Sequence, residues 1–254
     1  MKIRLVAAAV LLLAVPAFAQ KAKSKDELAA LQKVQQATTP AAQLAAIDYV
    51  LTNFADTEFK VILLSMATDA ANSARDYEKT VIYGERALEA DPKSYHVRYV
   101  LAGAIVQHTR VNDLDKDAKM KQVDTYANDG LALLKDAPSP RPDFTAAQWE
   151  EAKKDQAAAF DDILGMSADL KKDYPAAITD FKTAIATAAH QEPATLVRLA
   201  KAYNENKQYD DAIATADKVL AIADAQPVIK QVAQQEKDKA AAAKAAAAKA
   251  PVAK

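Results

Sequence analysis

The sequence predicts an all-α protein built from about five antiparallel helical hairpins and a C-terminal capping helix. Close to a quarter of its 254 residues are Ala, whereas only 4 are Gly and 6% are aromatic. Ala is the strongest helix former, and a β-protein would need more turn glycines and more β-branched and aromatic residues. Apolar residues also recur with helical spacing along most of the chain.

The first 19 residues are predicted to be a secretory signal peptide. Lys2 and Arg4 precede the apolar run 5–15, and Ala17-Phe18-Ala19 has the small-x-small pattern of a cleavage site. An uncleaved membrane anchor is the alternative, but about 11 apolar residues span only about 16 Å, roughly half of a bilayer core. We therefore expect a protein that is secreted across the inner membrane into the periplasm. Once the signal is cleaved, no membrane insertion is expected.

Residues 20–57 are predicted to form an N-terminal helical hairpin. Ser24-Lys25-Asp26-Glu27 reads as a capping box that opens the first helix, and Thr39-Pro40 reads as an N-cap with Pro in the first turn of the second.

The clearest internal repeat lies in residues 158–227. Leu164-Gly165 recurs as Leu199-Ala200, and residues 174–178 recur as 209–213, both with an offset of 35 residues. A helix, a turn and a second helix within such a period indicate stacked helical hairpins.

Small residues support this repeat for a physical reason. Two helices approach closely only where their crossing point lacks a large side chain. Gly165 with Ala177 and Ala200 with Ala212 provide such pairs. With these residues, and with Phe181 at an aromatic position, the region resembles the tetratricopeptide-repeat (TPR) family, which implies a TPR-like α-solenoid. Together with the predicted signal peptide, this suggests an exported bacterial TPR protein.

Residues 58–227 as a whole are assigned to TPR-like repeats. An earlier unit runs from Tyr77 to Pro92, with Thr80 and Gly84 departing from the family's usual residues. Between the clear units, residues 97–135 resemble a degenerate repeat with an insertion in its loop.

The C-terminal residues are predicted to form a capping helix and a tail. Val228, Ile229 and Val232 make a narrow apolar stripe, so residues 228–236 are expected to cover the last repeat. Residues 237–254 are rich in Ala and Lys and contain five Lys and one Asp. This tail is either a solvated, partly helical spacer or disordered segment, or an electrostatic contact with an anionic lipid, an envelope polymer or an acidic partner.

The residue inventory argues against catalysis and nucleic-acid binding. The chain has no Cys, and His96, His108 and His190 lack metal-ligand spacing. Asp161 and Asp162 are adjacent on a helix, so they point in different directions and are expected to be solvated. The part between the signal and the tail is acidic, which disfavours phosphate backbones. No catalytic, cofactor-binding or metal-binding residue is predicted, and no cofactor is expected.

One acidic pattern leaves calcium binding open. Asp113, Asp115, Asp117 and Asp124 have the spacing of an EF-hand loop, but Ala118 stands where that loop needs Gly. A polar loop is the alternative interpretation.

The resemblance implies a concave groove lined by the first helix of each hairpin, which would bind a protein or peptide. We expect a scaffold or adaptor that acts through this groove. The alternatives are an envelope-associated spacer that acts through its basic tail or self-association, and an enzyme built on helical hairpins. The partner-binding candidates are Ser65, Asp69, Asn72, Asp162, Met166, Asp169, Val197, Lys201 and Asn204.

Overall fold

The computed structural model describes residues 22–249, so the predicted signal peptide lies outside the described residues. All regular structure in that range is α-helical, and the helices number eleven there. They fall into two compact units: unit 1 contains residues 22–108 and 138–143, and unit 2 contains residues 109–137 and 144–249. The helices are α1 (Lys25–Gln36), α2 (Pro40–Asn53), α3 (Lys60–Ser73), α4 (Tyr77–Ala90), α5 (Tyr95–His108), α6 (Lys116–Lys135), α7 (Ala146–Leu170), α8 (Tyr174–Thr187), α9 (Pro193–Glu205), α10 (Tyr209–Ala221) and α11 (Pro227–Lys249).

Unit 1 contains α1 to α5, each packed against the next, and α3 also contacts α5. The predicted N-terminal hairpin is α1 with α2. Ser24 Oγ accepts a hydrogen bond from the Glu27 amide at 3.0 Å, while the Glu27 carboxylate accepts from the Lys23 amide rather than from Ser24. Thr39 caps α2, which begins at Pro40 as its sequence predicts. Local capping therefore fixes where both helices begin.

Unit 2 contains α6 to α11, again packed in sequence, with additional contacts of α7 with α9 and of α9 with α11. α7 opens with a complete capping box, in which Thr145 and Gln148 satisfy each other's backbone amides. The predicted degenerate repeat is divided between the units, because α5 belongs to unit 1 and α6 to unit 2.

Small residues let neighbouring helices approach in both units. In unit 2, a Cβ added to Gly165 would lie 2.5 Å from the Phe181 ring. In unit 1, a Cβ at Gly84 would lie 2.5 Å from Leu101. Thr80, the other residue of that repeat that departs from the family pattern, is buried, and its hydroxyl donates to the Asp76 carbonyl at 2.7 Å. Both departures are thus accommodated by packing.

Three hairpin turns share one backbone geometry that the sequence analysis did not anticipate. Arg75 in unit 1 and Lys172 and Lys207 in unit 2 have positive φ values of 58°, 61° and 60°. In each turn the following amide bonds to a carbonyl in the last turn of the preceding helix, as in a Schellman motif. A left-handed residue therefore joins α3 to α4, α7 to α8 and α9 to α10.

The last helix is longer than predicted. Instead of ending at residue 236, α11 continues to Lys249, and Ala240 is fully buried. Ala and Lys both favour helix, and acidic residues of α9 and α10 pair with the lysines of this segment. The helix predicted for residues 228–236 therefore continues into the predicted tail as far as the described residues extend.

Candidate functional site

An open groove lies in unit 1 where the start of α3, the end of α4 and the start of α5 meet. Its volume is about 240 Å³. We call it the α3–α5 groove, and its lining residues are Val61, Ile62, Ser65, Ala87, Asp91, Ser94 and Val97.

The apolar wall of this groove comes from the first turn of α3. Val61 is 44% exposed and Ile62 is 41% exposed, whereas the next two residues, Leu63 and Leu64, are fully buried. The apolar run thus divides between the core and the surface. Two adjacent large aliphatic side chains on a groove wall leave apolar area that a partner could cover.

Most of the polar part of the groove comes from the turn between α4 and α5. Asp91 follows α4 as its C-cap, and its carboxylate accepts a hydrogen bond from the Lys93 amide at 3.0 Å. Ser94 Oγ accepts from the Val97 amide in the first turn of α5 at 3.3 Å. A carboxylate and two hydroxyls, those of Ser65 and Ser94, therefore share the groove with its apolar residues.

Of the three predicted candidates in unit 1, Ser65 lines the α3–α5 groove and Asn72 is exposed near the end of α3. Asp69, one helical turn beyond Ser65, is paired with His96 of α5 at 2.8 Å. The hydrogen bond to Asp69 raises the pKa of His96 above its usual value. This pair ties α3 to α5 in unit 1.

Most of the candidates in unit 2 bind neighbouring helices. Asp162 accepts from Arg198 at 2.8 Å, and Asp169 accepts from Lys201 at 2.7 Å, so both pairs join α7 to α9. Met166 is half-buried and packs against the core cluster around Phe181. The charged side chains predicted to meet a partner are thus already neutralised within unit 2.

Two further candidates are not on the surface. Val197 belongs to a core cluster of unit 2, and Asn204 is 5% exposed. Asn204 Nδ2 donates to the Glu236 carbonyl at 2.9 Å and to its carboxylate at 2.7 Å. The expectation that both residues face a groove is corrected, because α11 packs over this part of α9 and α10.

Three lysines of the predicted tail have partners inside unit 2. Lys237 pairs with Asp217 at 2.6 Å and Lys239 with Glu205 at 2.5 Å, and Lys244 pairs with Asp210. The hydrogen bond to Glu205 raises the pKa of Lys239. These contacts hold the second half of α11 against acidic residues of α9 and α10.

The aspartates that suggested a calcium loop lie in different settings. Asp117 and Asp124 lie within α6, so most of the twelve residues that would form an EF-hand loop are helical. Asp115 pairs with Lys119 at 3.0 Å, and Asp124 accepts from Ser167 and Lys171 on α7 and in the turn that follows it. In the part of the chain that the structure describes, no group of three or more His, Cys, Asp or Glu residues could hold a metal ion.

Asp161 and Asp162 are not the freely solvated pair that the sequence suggested. Burial, together with the charge of Asp180, raises the pKa of Asp161 to about 6. Burial also raises the pKa of Asp162, which pairs with Arg198. Asp161 is thus a carboxylate that its surroundings disfavour in the charged form.

Sequence reasoning missed Val61, Ile62 and Asp91 as groove residues. Val61 lies four residues before Ser65, so the same helical period that selected Ser65 and Asp69 also selects Val61. Val61 and Ile62 were not singled out, because sequence alone does not show which members of an apolar run are exposed.

Sequentially packed helical hairpins, small residues at their crossings and a shared turn geometry define a helical-repeat fold. In fold, the chain is similar to the crystal structure of TTC0263, a thermophilic TPR protein in Thermus thermophilus, with a TM-score of 0.54 and 15% sequence identity over 87% of this chain and 96% of that chain. The predicted fold class, all-α and TPR-like, is confirmed. No protein-family profile and no curated protein matches the sequence.

Among residues 22–249, none of the helices has the length and apolarity needed to cross a membrane.

Proposed function

We propose that this chain is an exported scaffold that binds a protein partner through the α3–α5 groove of unit 1. The observation that carries the proposal is the exposed pair Val61 and Ile62 on the wall of that groove. In unit 2, by comparison, Asp162, Asp169 and Lys201 are paired with neighbouring helices. A partner that bound these three side chains would have to break their pairs, whereas the α3–α5 groove presents uncovered apolar surface.

Export to the periplasm is part of the proposal and rests on the sequence of residues 1–19. The full chain and a chain that begins at residue 20 should be expressed in the native host and the cells fractionated. We expect only the full chain to reach the periplasm, with an amino terminus that corresponds to cleavage after Ala19. An uncut full chain in the cytoplasm would contradict export without bearing on the groove.

The alternative is an envelope-associated spacer that acts through its basic tail. The tail lysines Lys237, Lys239 and Lys244 are engaged by Asp217, Glu205 and Asp210. An anionic surface would therefore have to compete with carboxylates of unit 2. This favours the groove as the working surface.

The binding test uses the chain from residue 20 as bait for envelope extract, together with two matched variants. Ile62→Glu places a charge on the groove wall, and Ile82→Glu places the same charge on α4 at a residue that is 53% exposed and does not line the groove. We expect a partner that binds the wild type and Ile82→Glu but not Ile62→Glu. Equal retention by all three proteins would rule out the α3–α5 groove. Thermal melting of each variant checks that it is folded.

A further inference from the structure

We infer that the α3–α5 groove takes a short partner segment that presents an aliphatic side chain close in sequence to a Lys or Arg. This inference rests on the proposed function and specifies the chemistry of the partner. It is carried by the size of the groove, its apolar wall and the sign of its charge.

The size of the groove suits side chains rather than a bound metabolite. Its volume is about 240 Å³, whereas pockets for small molecules are usually about 300–1,000 Å³. Val61, Ile62 and Val97 provide branched aliphatic surface in it. An aliphatic side chain of the partner would cover this surface and remove it from water, which is favourable in proportion to the apolar area buried.

The charge of the groove selects a cation. Within the described residues, Asp91 is the single charged member of the groove lining, so no basic side chain of that lining competes for it. The Asp91 carboxylate already accepts a hydrogen bond from the Lys93 amide. A carboxylate accepts several hydrogen bonds, so Asp91 can also accept from a Lys or Arg of the partner.

The hydroxyls of the groove fit the backbone of the same segment. Ser94 Oγ accepts from the Val97 amide, which leaves its own hydroxyl hydrogen available. This hydrogen, and that of Ser65, can be donated to carbonyls of the bound segment. The groove thus provides an apolar contact, a carboxylate and hydroxyl donors to one chain.

The test is a selection from a random heptapeptide library displayed on phage, against the wild-type chain from residue 20. Selected peptides are then synthesised and their affinities measured for four variants. Ile62→Glu and Asp91→Asn alter the groove. Ile82→Glu and Glu89→Gln are their matched controls, since Ile82 and Glu89 lie on α4, are exposed and do not line the groove.

We expect the selected peptides to share an aliphatic residue within about three positions of Lys or Arg. Asp91→Asn should weaken their binding about tenfold, as expected for loss of a hydrogen bond between charged groups, and Ile62→Glu should weaken it at least as much. Both controls should bind like the wild type.

Two outcomes would overturn the inference, and they differ in what they imply for the function. Peptides that lose affinity in Ile62→Glu, but lack a basic residue and bind Asp91→Asn normally, would refute the partner chemistry and leave the groove as a binding surface. Failure to select any peptide that depends on Ile62 would refute both.

Discussion

The Lys239 ammonium of α11 donates a 2.5 Å hydrogen bond to the Glu205 carboxylate, the last residue of α9. The pair joins residues 34 positions apart. Asn204, which precedes Glu205 on α9, donates a hydrogen bond to Glu236 of α11. α11 is thus joined to the last hairpin of unit 2 by polar contacts as well as by the apolar contacts of its first half.

Replacing Lys237, Lys239 and Lys244 together with Gln should lower the melting temperature of the protein. The three pairs are partly exposed, so each contributes little, and we expect a total loss of about 1–5 °C at low ionic strength. The difference should shrink in 1 M salt, because exposed charges are then screened within a few ångströms. Calorimetry at both salt concentrations measures it.

The control for this prediction replaces Lys121, Lys182 and Lys218 with Gln. These residues are exposed and lie in unit 2, so the net charge changes by the same amount. A loss of equal size in the control would show that overall charge, rather than attachment of α11, is responsible.

Gly165→Ala should destabilise the protein by about 1–3 kcal/mol, because the new Cβ has no room beside Phe181. Gly165→Leu should be worse. Ala186→Leu adds carbons to an exposed position of α8 and should change little. The free energy of unfolding from urea titration distinguishes them. If Gly165→Leu is as stable as the wild type, α7 and α8 do not approach each other closely at this residue.

The hairpins were predictable from sequence because their signals are local. The capping residues Thr39 and Thr145 mark helix starts, and small residues such as Gly165 and Ala177 mark a crossing. Each signal depends on contacts within a hairpin, whose parts lie close in the sequence. The fold class follows from the repetition of these signals.

The candidate site was less predictable, because it depends on which residues of neighbouring helices meet. Period alone placed Asp169 and Lys201 on their helices, but it did not show that they bind each other at 2.7 Å. It likewise placed Asn204 on an exposed face, where Glu236 of α11 covers it. Contacts over more than 30 residues require the packing of successive hairpins to be known.

Lys172→Gly should stabilise the protein by about 0.5–1 kcal/mol. Lys172 has a φ of 61°, which costs an L-residue with a Cβ about 1–2 kcal/mol, whereas Gly adopts it freely. The greater freedom of Gly in the unfolded chain removes part of this gain.

Lys171→Gly is the matched control for Lys172→Gly. Lys171 has a φ of −73° and donates to Asp124, so Gly at this position should destabilise the protein. Chemical denaturation of both variants gives the comparison. If Lys172→Gly proves less stable than the wild type, the turn between α7 and α8 does not have the left-handed geometry.

Asp161→Asn should stabilise the protein at pH 8 and have little effect at pH 3, below the ordinary pKa of the carboxyl. Burial and Asp180 raise the pKa of Asp161 to about 6 in the folded state, above its ordinary value of 3.8. The folded state therefore binds more protons than the unfolded state between these values, so stability falls as the pH rises through that window. Asn removes the charge whose burial is unfavourable.

The gain at pH 8 should be about 1 kcal/mol, because the side chain is partly exposed and solvent screens its charge. Unfolding free energies measured from pH 3 to pH 8 give the difference curve between the wild type and Asp161→Asn. Asp224→Asn, at an exposed residue outside the helices, is the charge-matched control. A difference curve that is flat with pH, or one that matches the control, would show that the Asp161 carboxylate is as well solvated in the folded protein as in the unfolded chain.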